Sequence, residues 1–198
     1  MNSDQSSSND HASETTASDR AASWTAGGIA AVILMAAFAS ILIQETYQPD
    51  DVFISDLPYE VLASEDPEPL DDAGFPLEEE GEPRPLQIHN TFYPKGIAVA
   101  ANAEIELREW PPGYRFFRAE VGIDGAAVPG GPASVIFTVL ADGTVLYESP
   151  VMRAGMPPRL IYVPIDDNRN SLTLRVTDAG DGQVADHAVW AMARFTAE

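Results

Sequence analysis

Apolar positions along the chain fall into three regimes. Between Ala21 and Ile43 there is no charged residue, and Ile29 to Ile43 is almost unbroken apolar sequence. Over residues 45–85 apolar residues are sparse among prolines and acids. From Leu86 onward apolar and polar residues alternate in short runs separated by Gly, Pro, Asn and Asp. Period-two alternation bounded by turn residues is the signature of strands. It predicts strands at 86–92, 96–100, 104–108, 115–123, 134–141, 144–148, 160–165, 171–177 and 187–195. Asp142-Gly143 between two apolar runs predicts a two-residue hairpin, because a type I′ turn needs positive φ at both positions. Pro111-Pro112-Gly113 and Pro129-Gly130-Gly131-Pro132 read as loops. No amphipathic helix is evident after residue 44. Strands at this spacing predict an all-β domain, an antiparallel jelly-roll β-sandwich over residues 86–198.

The uncharged stretch sets the expected organisation upstream. A bilayer-crossing helix needs about 20 apolar residues, so residues 21–44 read as a single N-terminal transmembrane helix. Trp24 and Tyr47 stand near its ends, where interfacial aromatics belong. The competing reading is a cleaved signal peptide, with Ala37-Phe38-Ala39 as a small-x-small site. A signal peptide wants a basic start, and residues 1–20 hold four acids and Arg20, so the anchor reading is preferred. Residues 1–20 are Ser-, Thr- and Asp-rich, with little to bury, and read as a disordered tail. Arg20 precedes the apolar stretch and Glu45, Asp50 and Asp51 follow it. The positive-inside tendency then places the C-terminal domain outside the cytoplasm.

Charge sharpens the middle segment. The formal net charge is -20, and residues 45–84 carry fourteen acids against Arg84 alone. Such a Pro-rich acidic segment repels itself, so residues 45–85 are expected to be an extended spacer. Residues 52–59 are apolar enough to dock as a first edge strand ended by Pro58. The remaining chain, residues 85–198, holds thirteen acids against Lys95 and eight arginines. No basic face for phosphate binding emerges, so nucleic acid is not an expected partner. The absence of cysteine removes disulfides and thiol chemistry.

Candidate chemistry concentrates between Thr177 and Trp190. Asp178, Asp181 and Asp186 offer hard oxygen ligands, and Gly180 and Gly182 let carbonyls turn inward, a combination suited to calcium. The spacing is not that of an EF-hand. The same residues also make an ordinary tight loop whose aspartates satisfy backbone N–H groups. Tyr93, Asn102, Arg115, His187 and Trp190 are polar or aromatic residues near strand ends, able to contact a ligand or to serve the fold. No nucleophile elbow, phosphate loop or zinc-protease motif occurs, and no enzyme activity is expected.

Several of these runs, in this order, resemble the NPCBM family of carbohydrate-binding-module-like domains. They are Ser55-Asp56-Leu57-Pro58-Tyr59, Tyr93-Pro94-Lys95-Gly96 leading into Ala101-Asn102-Ala103, and Phe116 to Asp124. Val135 to Gly143 follows, then Leu172 to Gly182 with Asp186-His187-Ala188 and Trp190. The resemblance spans about residues 53–195. It implies a galactose-binding-like β-sandwich that binds sugars and holds a structural calcium. Two positions depart from the pattern: the family's opening tryptophan is Tyr59, and its histidine after the glycine-led apolar run is Ala100. On this reading the protein is a membrane-anchored, non-catalytic carbohydrate-binding module presented outside the membrane, with a glycan as partner. The alternative is a protein-interaction or structural module on the same fold that has lost sugar binding.

Overall fold

Apolar residues at every second position oblige each strand to bury one face, and here two sheets bury those faces against each other. The structure is a computed structural model that describes residues 50–64, 67–78, 81–165 and 169–197. The expected tail and anchor, residues 1–44, lie outside the described residues. Among the described residues no helix is long and apolar enough to cross a membrane.

The strands in chain order are β1 (Val52–Phe53), β2 (Glu60–Ala63), β3 (Leu70–Asp71), β4 (Leu86–Ile88), β5 (Thr91–Tyr93), β6 (Gly96–Ala100) and β7 (Ala103–Leu107). There follow β8 (Phe116–Ile123), β9 (Ser134–Ala141), β10 (Thr144–Glu148), β11 (Met152–Arg153), β12 (Arg159–Pro164), β13 (Leu172–Thr177) and β14 (His187–Thr196). Sheet A has the order β12-β8-β14-β6-β3, with β1 also on β14. Sheet B has the order β10-β9-β13-β7-β2, with β11 also on β9. The pairings within both sheets are antiparallel. Asp142 (φ 47°) and Gly143 (φ 74°) make the β9–β10 turn with both φ values positive, as expected.

The core lies between the sheets. Trp190 on β14, Phe117 on β8 and Phe137 on β9 meet there with no exposed surface. Phe137 and Trp190 pack edge to face at 5.0 Å between ring centroids, a favoured aromatic geometry. A bulge between Ala191 and Arg194, with Met192 at φ 50°, resets the alternation so that Ala193 and Phe195 still face inward.

Sheet A carries a third layer on its other face. There Ala98, Val189 and Ala191 pack against Phe75 and against Leu86, Ile88 and Tyr93 of the β4–β5 hairpin. Gly122 permits this close approach, since a Cβ at that position would stand 2.4 Å from Ile88 Cγ2.

The structure differs here from the spacer expected over residues 45–85. The 52–59 run yields only the two-residue β1 and a 3₁₀ turn at Ile54–Asp56. β2 pairs with β7 and β3 with β6, and Gly74 bridges to Arg84. A few well-placed apolar residues outweigh the acidic composition: Ile54 has no exposed surface and Phe75 has 2%. Charge is managed by pairing. Lys95 Nζ reaches Asp56 at 2.5 Å and Asp72 at 2.8 Å. Arg84 reaches Asp124 at 2.7 Å, and Asp124 is only 2% exposed. Removing one partner of a buried ion pair strands the other charge at a cost of about 3–5 kcal/mol. Arg84→Ala is therefore expected to destabilise the domain by about that amount in urea denaturation. A loss below about 1 kcal/mol, as for an exposed pair, would show that the strap at residues 70–85 is not pinned there.

Candidate functional site

The loop between β13 and β14 is held by hydrogen bonds its own sequence supplies. Asp178 Oδ1 accepts the Gly180 N–H at 3.0 Å, an Asx turn, and the Asp178 N–H donates to Asn102 Oδ1 at 3.0 Å. Ser134 ties the loop to β9. Its backbone N–H donates to Asp186 Oδ1 at 2.7 Å and its hydroxyl to Asp181 at 2.7 and 2.9 Å. Arg153 lies 3.5 Å from Asp181. Ala179, Gly180, Gly182 and Ala185 all take positive φ, which lets the chain reverse twice within the loop.

This geometry separates the three aspartates. Asp181 is outward, and the Ser134 hydroxyl, with Arg153, holds its carboxyl below the usual range. Asp186 is 1% exposed, and its Oδ2 is buried with no hydrogen-bond partner. Burial pushes the Asp186 carboxyl up; the Ser134 N–H opposes this, while Asp181 and Asp178 add to it. Among the described residues no three His, Asp or Glu side chains are grouped so as to hold a metal by themselves. Calcium also takes carbonyl and water oxygens, so the atom that fits a hard cation here is Asp186 Oδ2. Asp56 is engaged by Lys95 and Asp124 by Arg84.

His187 opens β14 directly after this loop and pairs with Ala100 of β6. Its ring lies 4.7 Å from that of Phe75. Arg84 donates to both Asp124 Oδ1 and the Phe75 carbonyl at 2.7 Å, so the strap is fastened beside the histidine. Burial pushes the His187 pKa down; Asp124 raises it in part and Arg84 lowers it further. His187 is consequently neutral at pH 7.

The expected sugar contacts do not converge. Asn102 and His187 share the loop end. Trp190 is fully enclosed in the core and has no face to offer a sugar, since the inward register of β14 claims it. Tyr93 is 8% exposed and donates its hydroxyl to Glu120 Oε2 at 2.7 Å on the outer face of sheet A. Arg115 stands at the opposite end, its N–H bonded to the Thr196 carbonyl, about 30 Å from His187 at ~3.4 Å per residue along β14. Phe75, Arg84 and Ser134 are the members that the sequence alone did not single out, while Asp124, at the end of the Phe116–Asp124 run, takes its place through Arg84. Arg84 carried a usable signal as the one base among fourteen acids.

The comparisons with known proteins fit this architecture. The model of the NPCBM/NEW2 domain matches residues 50–196. The chain belongs to the NPCBM/NEW2 domain family. Among solved structures it is similar to the CBM51 module from Clostridium perfringens GH95 in complex with methyl-galactose, at 29% identity and TM-score 0.61. That match covers 74% of this chain and 99% of the module. It is also similar to CBM51-2, in complex with GlcNAc, of Clostridium perfringens ZmpB, at 27% identity and TM-score 0.65, over 75% of this chain and 32% of that one. Among curated proteins, alpha-1,3-galactosidase B of Akkermansia muciniphila is 34% identical over 107 residues. A second curated relative, named as putative endo-alpha-N-acetylgalactosaminidase of Renibacterium salmoninarum, is 32% identical over 117 residues. The alignments span only 7% of that protein and 13% of the galactosidase, so the matched region is a small part of each.

His187 has a folded-state pKa below that of the unfolded chain. Its contribution to stability is therefore present above about pH 6.5 and is lost as pH falls below it. Phe75→Ala is expected to let water reach the ring and raise its pKa toward that ordinary value, read from the His187 imidazole resonances against pH. An unchanged titration would mean that Phe75 is not what buries the histidine.

Proposed function

We propose that this protein is a carbohydrate-binding module without catalysis of its own, binding galactose-type sugars at the loop end that holds Asn102, Asp178 and His187. One observation carries the reading: a single module in complex with methyl-galactose is matched almost end to end at 29% identity. The polar loop end supports it, with Asn102 and Asp178 joined by a hydrogen bond and His187 beside them. Residues 21–44 anchor the module in a membrane and present it outside the cytoplasm; the uncharged apolar stretch supports that part. A second reading, a protein-interaction module that has lost sugar binding, is favoured by one feature. Phe75 packs on His187 where Ala100 replaces the family's histidine, and this strap narrows the same end.

A glycan array probed with the full-length protein in calcium separates the two. Retention of terminal galactosides, weakened about tenfold by Asn102→Ala through loss of polar contacts, is the expected result. No retention of any glycan leaves the second reading.

The proposal includes a calcium ion held by Asp186 within the 178–186 loop. Calcium would supply a positive charge that offsets the buried carboxylate. The expected outcome is a melting temperature raised by calcium and restored by chelator, because a ligand bound only to the folded state stabilises it. In chelator, Asp186→Asn is expected to melt higher than the parent, since it removes a carboxylate that folding disfavours. Calcium then has no further effect on that variant. A parent insensitive to calcium would end this part of the proposal.

A further inference from the structure

Beyond the loop end, the outer face of sheet A carries an arrangement that the fold does not need. Register places Tyr162, Arg118, Arg194 and Phe53 in one row across β12, β8, β14 and β1. Arg194 is accounted for: it pairs with Asp51, donates to the Met192 carbonyl and lies 5.9 Å from the Phe53 ring centre. Arg118 is not. Its nearest acid along β8, Glu120, accepts the Tyr93 hydroxyl, and among the described residues no carboxylate forms an ion pair with Arg118. Like charges directly opposite across strands destabilise a sheet. In a chain of net charge -20, an arginine set against another arginine and left without an acid is a cation kept for something else.

The surroundings say what. Phe116 and Tyr162 stack at 4.7 Å and 15° beside Arg118. On the edge strand β12, Leu160 and Tyr162 are 53% and 46% exposed. The β4–β5 hairpin, resting on Gly122, bounds this floor on one side. Aromatic edges and faces with an aliphatic neighbour suit the apolar side of a pyranose ring. A planar guanidinium suits a carboxylate or sulfate bidentately. We infer that the β8–β12 face is a second sugar platform, which takes acidic glycans through Arg118 and Tyr162. The choice of a sugar chain over an acidic peptide rests on the carbohydrate reading above.

The test uses the full-length protein in non-ionic detergent, with oligogalacturonate, methyl-galactose and poly-glutamate as probes. Oligogalacturonate is expected to bind. Arg118→Gln and Tyr162→Ala each weaken it about tenfold or more, and Arg118→Lys does so by less than Arg118→Gln. Methyl-galactose binding stays unchanged in these variants, because the loop end is a separate place. The Arg118→Gln melting temperature is expected to hold or rise, as a like-charge pair is relieved. The inference is overturned by oligogalacturonate binding that Arg118→Gln leaves intact, by absent binding, by equal binding of poly-glutamate, or by a lowered Arg118→Gln melting temperature. Loss of methyl-galactose binding alone would remove the loop-end site and leave this one standing.

Discussion

The centre of sheet A is apolar on both faces, and that constraint organises the molecule. Trp190 and Ala188 on β14 point into the sandwich, while Val189 and Ala191, alternating with them, point the other way. A sheet with one such face needs one partner layer; a sheet with two needs a second cover. The inner face is met by sheet B. The outer face is met by the β4–β5 hairpin and by Phe75, drawn from a segment that composition alone would leave in solvent. Burying Phe75, Leu86 and Ile88 contributes about 1.5–3 kcal/mol for each side chain, enough to hold down a strap rich in acids.

Covering that face creates an electrostatic problem, and its solution shapes the loop end. The strap carries negative charge onto a surface where Asp124 is already buried. Arg84 resolves it by bonding to Asp124 and to the Phe75 carbonyl together. A neutral His187 follows, since the Phe75 cover and the Arg84 charge both disfavour a proton on it. Asp186, the residue before it, is buried without such a cation. Each carboxylate keeps one buried oxygen without a hydrogen bond, but only Asp124 has an arginine beside it. That difference is why the cation proposal attaches to Asp186.

The sandwich was legible from residue 96 onward because the strands there, the two-residue β11 apart, run five residues or more. Asp142-Gly143 fixed its own hairpin, and β6, β9 and β10 begin and end where alternation places them. Residues 52–85 were opaque for a physical reason. β1 and β3 have two residues each, too short for a period to register. Their apolar anchors are single residues among prolines and acids, so averaging over a window erased them. The site was legible only in part. Asn102 and His187 do share one end, whereas Trp190 shows that an aromatic in a motif can serve the core, as the alternation of β14 requires.

The outer face of sheet A is divided by its cover, and the division carries the last step. Toward Gly122 the hairpin lies close because there is no Cβ, and Tyr93 uses its hydroxyl to cap Glu120. Beyond Glu120 the cover ends, and the sheet presents Arg118, Phe116 and Tyr162 to solvent. Had this open half only to stay soluble, acids and lysines would suffice, as they do on most sheet faces. Stacked aromatics beside an arginine without a carboxylate lose solvation and gain repulsion from Arg194 without compensation inside the fold. A local conflict of this kind, beside an Arg194 whose own charge is met by Asp51, places its compensation in a ligand outside the chain.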